Sequence, residues 1–336
     1  PYSWLLALPG FDSLRAPARF WMVAVLCLSV VAALLLARVL PIAGRWRHTL
    51  VVLIACGILT DTWASALPIV PARRVLNCPR PPGDAAALAL LPLGVTRIDL
   101  TAMDLAKQWG VESVNGYSGY VAPHYEALVY GIDTRDHGTL TDLAGDTGLF
   151  VALAEDDRML HRFVRTHPRA TTLGTCEGTA LFRIAGDTPV SPAEPATGTT
   201  LPIVSLTADV GADAARLAID GELSTRWNAG EQTDSHFLQA DLGSERSVAA
   251  VVFELGQFPS DFPRYLHVKV STDSLSWREV WAGATHRLAF RAGLNDPKRV
   301  SLVLSFVPVR ARYVRFEQTG RDHEFWSVPE LRILTR

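Results

Sequence analysis

The chain has 336 residues, with 32 Lys and Arg set against 34 Asp and Glu, a formal net charge of −2, and 49% apolar residues. That length holds two or three domains, and so balanced a charge gives no polycationic surface, so nucleic acid is not an expected partner. The apolar residues are concentrated at one end.

Phe20 to Ala37 form an almost uninterrupted apolar run. A second opens at Leu50 to Thr60 and continues through Trp63 to Leu67. Each approaches the roughly 20 residues needed to cross a bilayer, which predicts transmembrane helices at about 20–39 and 48–67 within a membrane region 1–71. Arg38 to His48, with Pro41 and Gly44, form the hinge between them. A signal peptide is a poorer reading: the chain begins Pro-Tyr-Ser-Trp, and a second apolar run follows a short turn. The absent Met leads to the expectation that the sequence starts inside a longer protein. Arg38, Arg45 and Arg47 in the hinge are balanced by Arg15, Arg19, Arg73, Arg74 and Arg80 on the outer flanks, so the positive-inside rule does not orient the pair. Asp61, two residues before Trp63, reads as near the exit surface, with a deeper role as the alternative.

Pro68 to Gly83 form a Pro- and Arg-rich connector, and 72–185 read as a small α/β domain. Leu88 to Leu93, Leu149 to Ala154 and Leu181 to Ile184 are candidate buried strands, whereas Thr101 to Trp109, His124 to Tyr130 and Asp156 to Val164 carry helical spacing. Between them, Asn115 to Tyr125 read NGYSGYVAPHY. Its tyrosines and histidine suit either stacking on a sugar or packing of a turn onto the core. No catalytic constellation emerges. Ser118 and His124 lack a strand-turn-helix elbow, and Asp133, Asp136 and His137 match no standard metal spacing. Of four cysteines, Cys27 and Cys56 lie in the apolar runs. Cys78 and Cys176 bracket the α/β domain, and an oxidising compartment would allow them to pair, which spacing alone leaves open. Residues 186–204 read as a Pro, Thr and Gly linker, predicting that the domains on either side are separate units.

From 205 to 336 the pattern changes to short alternating runs, Ser247 to Leu255, Tyr265 to Ser271, Val300 to Phe306 and Tyr313 to Phe316, with no long helical period. This indicates an all-β sandwich or barrel rather than a parallel sheet. Five segments occur in order: AIDGELSTRW (218–227), FLQADLG (237–243), YLHVKVSTDSLSW (265–277), ARYVRFE (311–317) and WSVPELRIL (326–334). Together they resemble a discoidin, or coagulation-factor type C, domain of the kind found in family 32 carbohydrate-binding modules. The resemblance implies a jelly-roll sandwich. It also implies a structural Ca²⁺ held by Asp220, Glu222, Thr225 and Glu330 with carbonyls near Leu217 and Pro329, although Glu222 stands where Asp or Asn is usual. A hard cation wants such an all-oxygen set. For the glycan, the resemblance points to variable loops, here His236 beside Asp234, Phe258 to Arg264, and Asp322, His323 and Phe325. His236, Arg264, His323 and Phe325 are the residues expected to make contact. Trp227, Trp277 and Trp326 are expected to pack rather than to bind.

The first half carries a second resemblance. Leu8-Pro9-Gly10-Phe11 followed by Leu14 to Phe20, together with the tyrosine-rich loop, is similar to bacterial membrane proteins of the glycosyltransferase C superfamily, which use polyprenyl-phosphate sugars. It implies that Arg15 and Arg19 contact a lipid-linked phosphate, against the alternative that they anchor the helix at the headgroups. The expected architecture is therefore multidomain: two transmembrane helices, an extracytoplasmic α/β domain and a C-terminal all-β discoidin-like jelly roll. The expected setting is the bacterial inner (plasma) membrane. Two functions follow. One is the C-terminal part of a membrane glycosyltransferase that builds cell-envelope polysaccharide, its catalytic residues outside this sequence and its partners a cell-envelope glycan, the lipid bilayer and a polyprenyl-phosphate sugar. The other is a non-enzymatic, membrane-tethered glycan-binding or adhesion protein.

Overall fold

A computed structural model describes residues 18–42, 44–61, 75–117, 121–153, 157–187 and 197–335. The chain divides into two compact units, Pro1–Ala72 and Arg73–Arg336.

In the first unit, helix α1 spans Ala18–Ile42, a 3₁₀ turn spans Gly44–Trp46, and α2 spans Arg47–Asp61. Among the described residues one stretch, Val23–Ile42, is long and apolar enough to cross a membrane, and none of it is buried. A helix that is apolar all round needs a protein core or a bilayer to cover it. Helix α2 has 15 residues, about 22 Å at 1.5 Å per residue, short of the ~30 Å hydrocarbon core. The expectation of a second span is thus not met within the described residues, and its remaining part, 62–67, lies outside them. So do Arg15 and the side chains of Arg19 and Asp61.

The second unit opens with the α/β half. Strand β1 (Ala87–Leu91), helix α3 (Thr96–Trp109), β2 (Glu112–Ser113), α4 (Pro123–Asp133), α5 (His137–Ala144), β3 (Leu149–Leu153), α6 (Arg158–Arg165), β4 (Ala170–Cys176) and β5 (Thr179–Ile184) follow in order. They build a five-stranded sheet in the order β2-β1-β3-β5-β4, parallel from β2 to β3 and antiparallel from β3 to β4. The uninterrupted apolar strands β1 and β3 are buried on both faces, as parallel neighbours covered by helices must be. Asp136 and Asp157 cap α5 and α6 by accepting backbone N–H bonds, and Gly110 ends α3 in the left-handed region at φ 65°. Cys78 and Cys176 form a disulfide, with Cα atoms 5.8 Å apart. Beside it the Trp109 indole donates to the Cys78 carbonyl (2.7 Å) and meets Phe150 edge-on.

The C-terminal half is predominantly β. It contains β6 (Thr199–Leu201), β7 (Ser205–Ala208), β8 (Trp227–Gln232), β9 (His236–Glu254), β10 (Tyr265–Ser271), β11 (Arg278–Ala284), helix α7 (His286–Asn295), β12 (Ser301–Gln318), β13 (Asp322–Val328) and β14 (Glu330–Thr335). The main sheet runs β11-β10-β12-β9-β14-β6, with β7 added to β9, while β8 and β13 pair separately. Strand β9 is its spine: one edge pairs with β12, and the other with β7 near its start and β14 near its end. Leu238, Ala240 and Leu242 point into the core and alternate with half-exposed Gln239 and Asp241, the period-2 pattern that fixes register. Val300 to Phe306 and Tyr313 to Phe316, read as two strands in the sequence, belong to the single bulged strand β12.

Two expectations need correction. A ten-residue helix, α7, interrupts the β region, and the two soluble halves are one compact unit rather than separate ones. The cause is a continuous interface between α4, α5 and α7. Ala289, Phe290 and Ala292 of α7 join the same buried core as Ala127, Leu128 and Ile132 of α4. Gly293 makes this approach possible: a Cβ there would lie 3.0 Å from the His124 backbone nitrogen. Polar bonds fix the register. Arg287 clasps Asp142 with two hydrogen bonds (2.8 and 2.9 Å), Arg291 adds a third (2.8 Å), and the buried His286 bonds Asp136 (3.0 Å). The His286 bond above all, with those from the Gly138 N–H and Thr139, holds Asp136 well below the usual carboxylate range despite its burial. The Asp133, Asp136 and His137 group is therefore structural: Asp136 caps a helix and holds the interface, and His137 stacks on Phe163.

Candidate glycan-binding site

The loops joining β7 to β8, β9 to β10 and β12 to β13 converge around Gln232. This buried side chain accepts the Arg264 backbone N–H (2.8 Å) and donates to the carbonyls of Phe262 (3.1 Å) and Phe325 (3.0 Å). Beside it Arg226, at the foot of β8, pairs with Asp261, whose carboxylate also accepts from Ser327. The Arg226 guanidinium lies 3.9 Å from the centroid of the Phe258 ring and 6.0 Å from that of Phe325. Phe325 keeps 40% of its surface exposed. Burial pushes the Asp261 carboxyl up, and its bonds to Ser327 and Arg226 only partly offset this. The result is a cation held against aromatic faces at the surface, next to an open ring suited to stacking.

Of the four expected contact residues, the structure brings Arg264 and Phe325 to this region. Phe325 is a free ring. Arg264 is not free: it is 2% exposed, its guanidinium pairs with Asp322, donates to the Ser260 and Phe262 carbonyls, and lies against the Phe262 and Tyr130 rings. It is a strut of the interface with α4. His323 is fully open, 3.9 Å from Glu231. His236 stands apart at the start of β9, bound to Asp209 (3.0 Å). Trp227 and Trp326 are buried and meet edge-on at 4.8 Å, and Trp277 is covered by Arg315. Arg226 was not singled out by sequence reasoning, whereas Asp261 lies within the expected loop Phe258 to Arg264. The signal for Arg226 was the STRW run, in which an arginine precedes a core tryptophan.

The expected cation loop is closed on itself by hydrogen bonds. Asp220 accepts from the Glu222 N–H (2.9 Å) and the Thr225 hydroxyl (2.7 Å), and Glu330 accepts from the Gly221 N–H (3.0 Å). Burial, and then the Asp220 charge, push the Glu330 carboxyl up despite that bond. Two carboxylates and a hydroxyl from elements about a hundred residues apart in sequence thus meet, with repulsion between the acids. This donor chemistry fits a hard cation, although among the described residues no three His, Cys, Asp or Glu side chains gather to hold an ion. Glu222 contributes its backbone, and its side chain makes no bond among the described residues.

Residues 203–331 match the F5/8 type C domain family, and the C-terminal part of the chain is a domain of that type. Among solved structures, the family 32 carbohydrate-binding module of AlyQ, solved with 4,5-unsaturated mannuronic acid, is 26% identical, with 41% of this chain and 99% of that chain covered and a TM-score of 0.33. Chitosan-binding module 1 of a chitosanase/glucanase from Paenibacillus sp. IK-5 is 23% identical over 40% of this chain and 98% of its own, with a TM-score of 0.31. A Clostridium perfringens module solved with GalNAc-beta-1,3-galactose is 20% identical over 41% of this chain and 100% of its own, with a TM-score of 0.32. No curated protein matches the chain.

Proposed function

We propose that the F5/8 type C domain holds a carbohydrate of the cell envelope at the loop end formed by Arg226, Phe258 and Phe325. One observation carries this: a half-open phenyl ring stands beside a guanidinium already oriented by a second ring and a buried carboxylate. A sugar lays its C–H face on such a ring and accepts hydrogen bonds from such a cation. The solved modules named above with bound or named saccharides are in keeping with that chemistry. His236, Arg264 and His323 take lesser parts in this reading, with Arg264 supporting the loop from beneath.

In this proposal the chain is the C-terminal part of a membrane glycosyltransferase that uses a polyprenyl-phosphate sugar, with Arg15 and Arg19 near the lipid-linked phosphate and no catalytic residue of its own. The apolar helix α1 supports membrane attachment. The Cys78–Cys176 disulfide supports an extracytoplasmic place for the second unit, since such bonds persist in oxidising compartments. Ca²⁺, held by Asp220, Thr225 and Glu330 with Glu222 near, would tie the loop before β8 to β14. The binding claim is tested by glycan-array screening of the whole chain in lipid nanodiscs. Phe325→Ala and Arg226→Ala are expected to lower binding of the best glycan at least tenfold without unfolding the chain. Unchanged binding by both would refute the assigned site.

A further inference from the structure

A second cleft, of about 620 Å³, lies wholly within the α/β half. It opens at the carboxyl ends of the parallel strands β1 and β2, between the first turns of α3 and α4, and its size is that of a small-molecule site. Two helix N-termini would ordinarily favour an anion. Here each first turn already carries an acid, Asp99 in α3 and Glu126 in α4, and among the described residues lining the cleft there is no Lys or Arg. Phosphates and uronates are therefore poor ligands for it.

Asp99 is 3% exposed, yet it lines the cleft. Its Oδ1 accepts from Asn115 Nδ2 (2.8 Å) and the Tyr125 hydroxyl (3.1 Å), while Oδ2 accepts nothing among the described residues. The two partners are themselves immobilised. Asn115 bonds both backbone groups of Leu90 at 2.8 Å, and the Tyr125 oxygen accepts from the Gly94 N–H (3.2 Å). A carboxylate that lines the cleft and is oriented through one oxygen leaves the other as an acceptor for a ligand donor. Tyr117, 56% exposed, and Val121, 51% exposed, also line the cleft and add aromatic and apolar surface to it. Two carboxylate acceptors and an open aromatic ring in one cleft suit a sugar, whose hydroxyls donate to the first and whose C–H groups pack on the second.

We infer that this cleft is a carbohydrate-binding site for a neutral glycan, distinct from the loop site of the F5/8 type C domain. Asp99 Oδ2 and Glu126 accept from sugar hydroxyls, and Tyr117 stacks on the ring. The inference does not depend on the loop site, because among the described residues none of the C-terminal half lines the cleft.

The test uses the whole chain carrying Phe325→Ala, which silences the loop site, in nanodiscs free of glycoside detergent. The probes are neutral trisaccharides of glucose, galactose, mannose and arabinose, with trigalacturonate and a chitosan trimer for comparison, and Kd is read by titration. At least one neutral trisaccharide is expected to bind this chain, with trigalacturonate at least tenfold weaker. Adding Val121→Trp, which fills the cleft from an exposed position, or Tyr117→Ala is expected to weaken the neutral ligand at least tenfold with the thermal midpoint unchanged. Asp99→Asn should do the same. The inference is overturned if no neutral trisaccharide binds, if trigalacturonate binds best, or if Val121→Trp and Tyr117→Ala leave Kd unmoved. Failure of the loop site alone shows differently, as equal binding with and without Phe325→Ala while the cleft variants still lose affinity.

Discussion

Asp142→Ala removes the acid on which the two soluble halves are pinned. The Asp142 carboxylate is 5% exposed and accepts three charge-assisted hydrogen bonds of 2.8–2.9 Å, two from Arg287 and one from Arg291. Breaking a fully buried pair costs about 3–5 kcal/mol. Arg287 and Arg291 retain 38% and 25% exposure, so water recovers part of their solvation after the change. Discounted for that, the loss is about 2 kcal/mol. In a unit of this size each 1 kcal/mol moves the thermal midpoint by roughly 2–4 °C, giving a fall of about 4–8 °C. Scanning fluorimetry of the chain measures it, and a double-mutant cycle with Arg287→Ala isolates the pair, with an expected coupling of about 1–2 kcal/mol. The pH dependence provides a second check. Burial pushes the Asp142 carboxyl up, but the bonds and charges of Arg287 and Arg291 outweigh it and hold the carboxyl below its ordinary range. A depressed folded value means that the contribution is complete above the unfolded value of about 3.9 and is lost as pH falls through the folded one. The difference between wild type and Asp142→Ala should therefore shrink only below about pH 4. A coupling energy under about 0.3 kcal/mol would refute the idea that this ion pair holds the halves together.

Three further changes follow from the same structure. Arg264→Ala leaves Asp322 unpaired and opens a gap between Phe262 and Tyr130, and it should cost about 3 kcal/mol in denaturant titration; Arg264→Lys should not restore stability, because a lysine cannot lie flat between two rings. Reducing Cys78–Cys176 frees a loop with a sequence separation of 98, worth up to about 4–5 kcal/mol in the chain-entropy account, and the midpoint should fall on adding a phosphine reductant and not in Cys78→Ser/Cys176→Ser. Ca²⁺ at a hundredfold excess over Kd should add about 2.7 kcal/mol, and Asp220→Ala or Glu330→Gln should abolish that gain; a midpoint indifferent to Ca²⁺ and chelator would leave the loop held by its hydrogen bonds alone.

The sandwich strands were legible because alternation directly encodes a half-buried strand, as at Tyr265–Ser271. The helices α3, α4 and α6 showed through their apolar spacing, and the packing of Trp227 and Trp326 through their place in the motif. What stayed hidden depends on partners distant in sequence. Arg264 reads as a glycan-contacting loop arginine until Tyr130 and Asp322 close over it from other elements. Helix α7 is short, has no side-chain cap at Thr285, and draws its stability from α4 and Asp142, so neither its existence nor the joining of the halves is written in the local pattern. The linker composition was misleading for the same reason: a Pro-, Thr- and Gly-rich stretch of sequence does not prevent its neighbours from packing. In the candidate site, Phe325 was named only as part of a variable loop, and the Arg226–Asp261 pair required the loops before β8 and β10 to meet.

Hydrogen–deuterium exchange of the whole chain, with and without its best-binding glycan, tests the central claim most directly. The account predicts slower exchange on saturation within 226–232, 256–264 and 322–327, and loss of that protection in Phe325→Ala. Exchange in those three segments that is unchanged by a saturating glycan would contradict it.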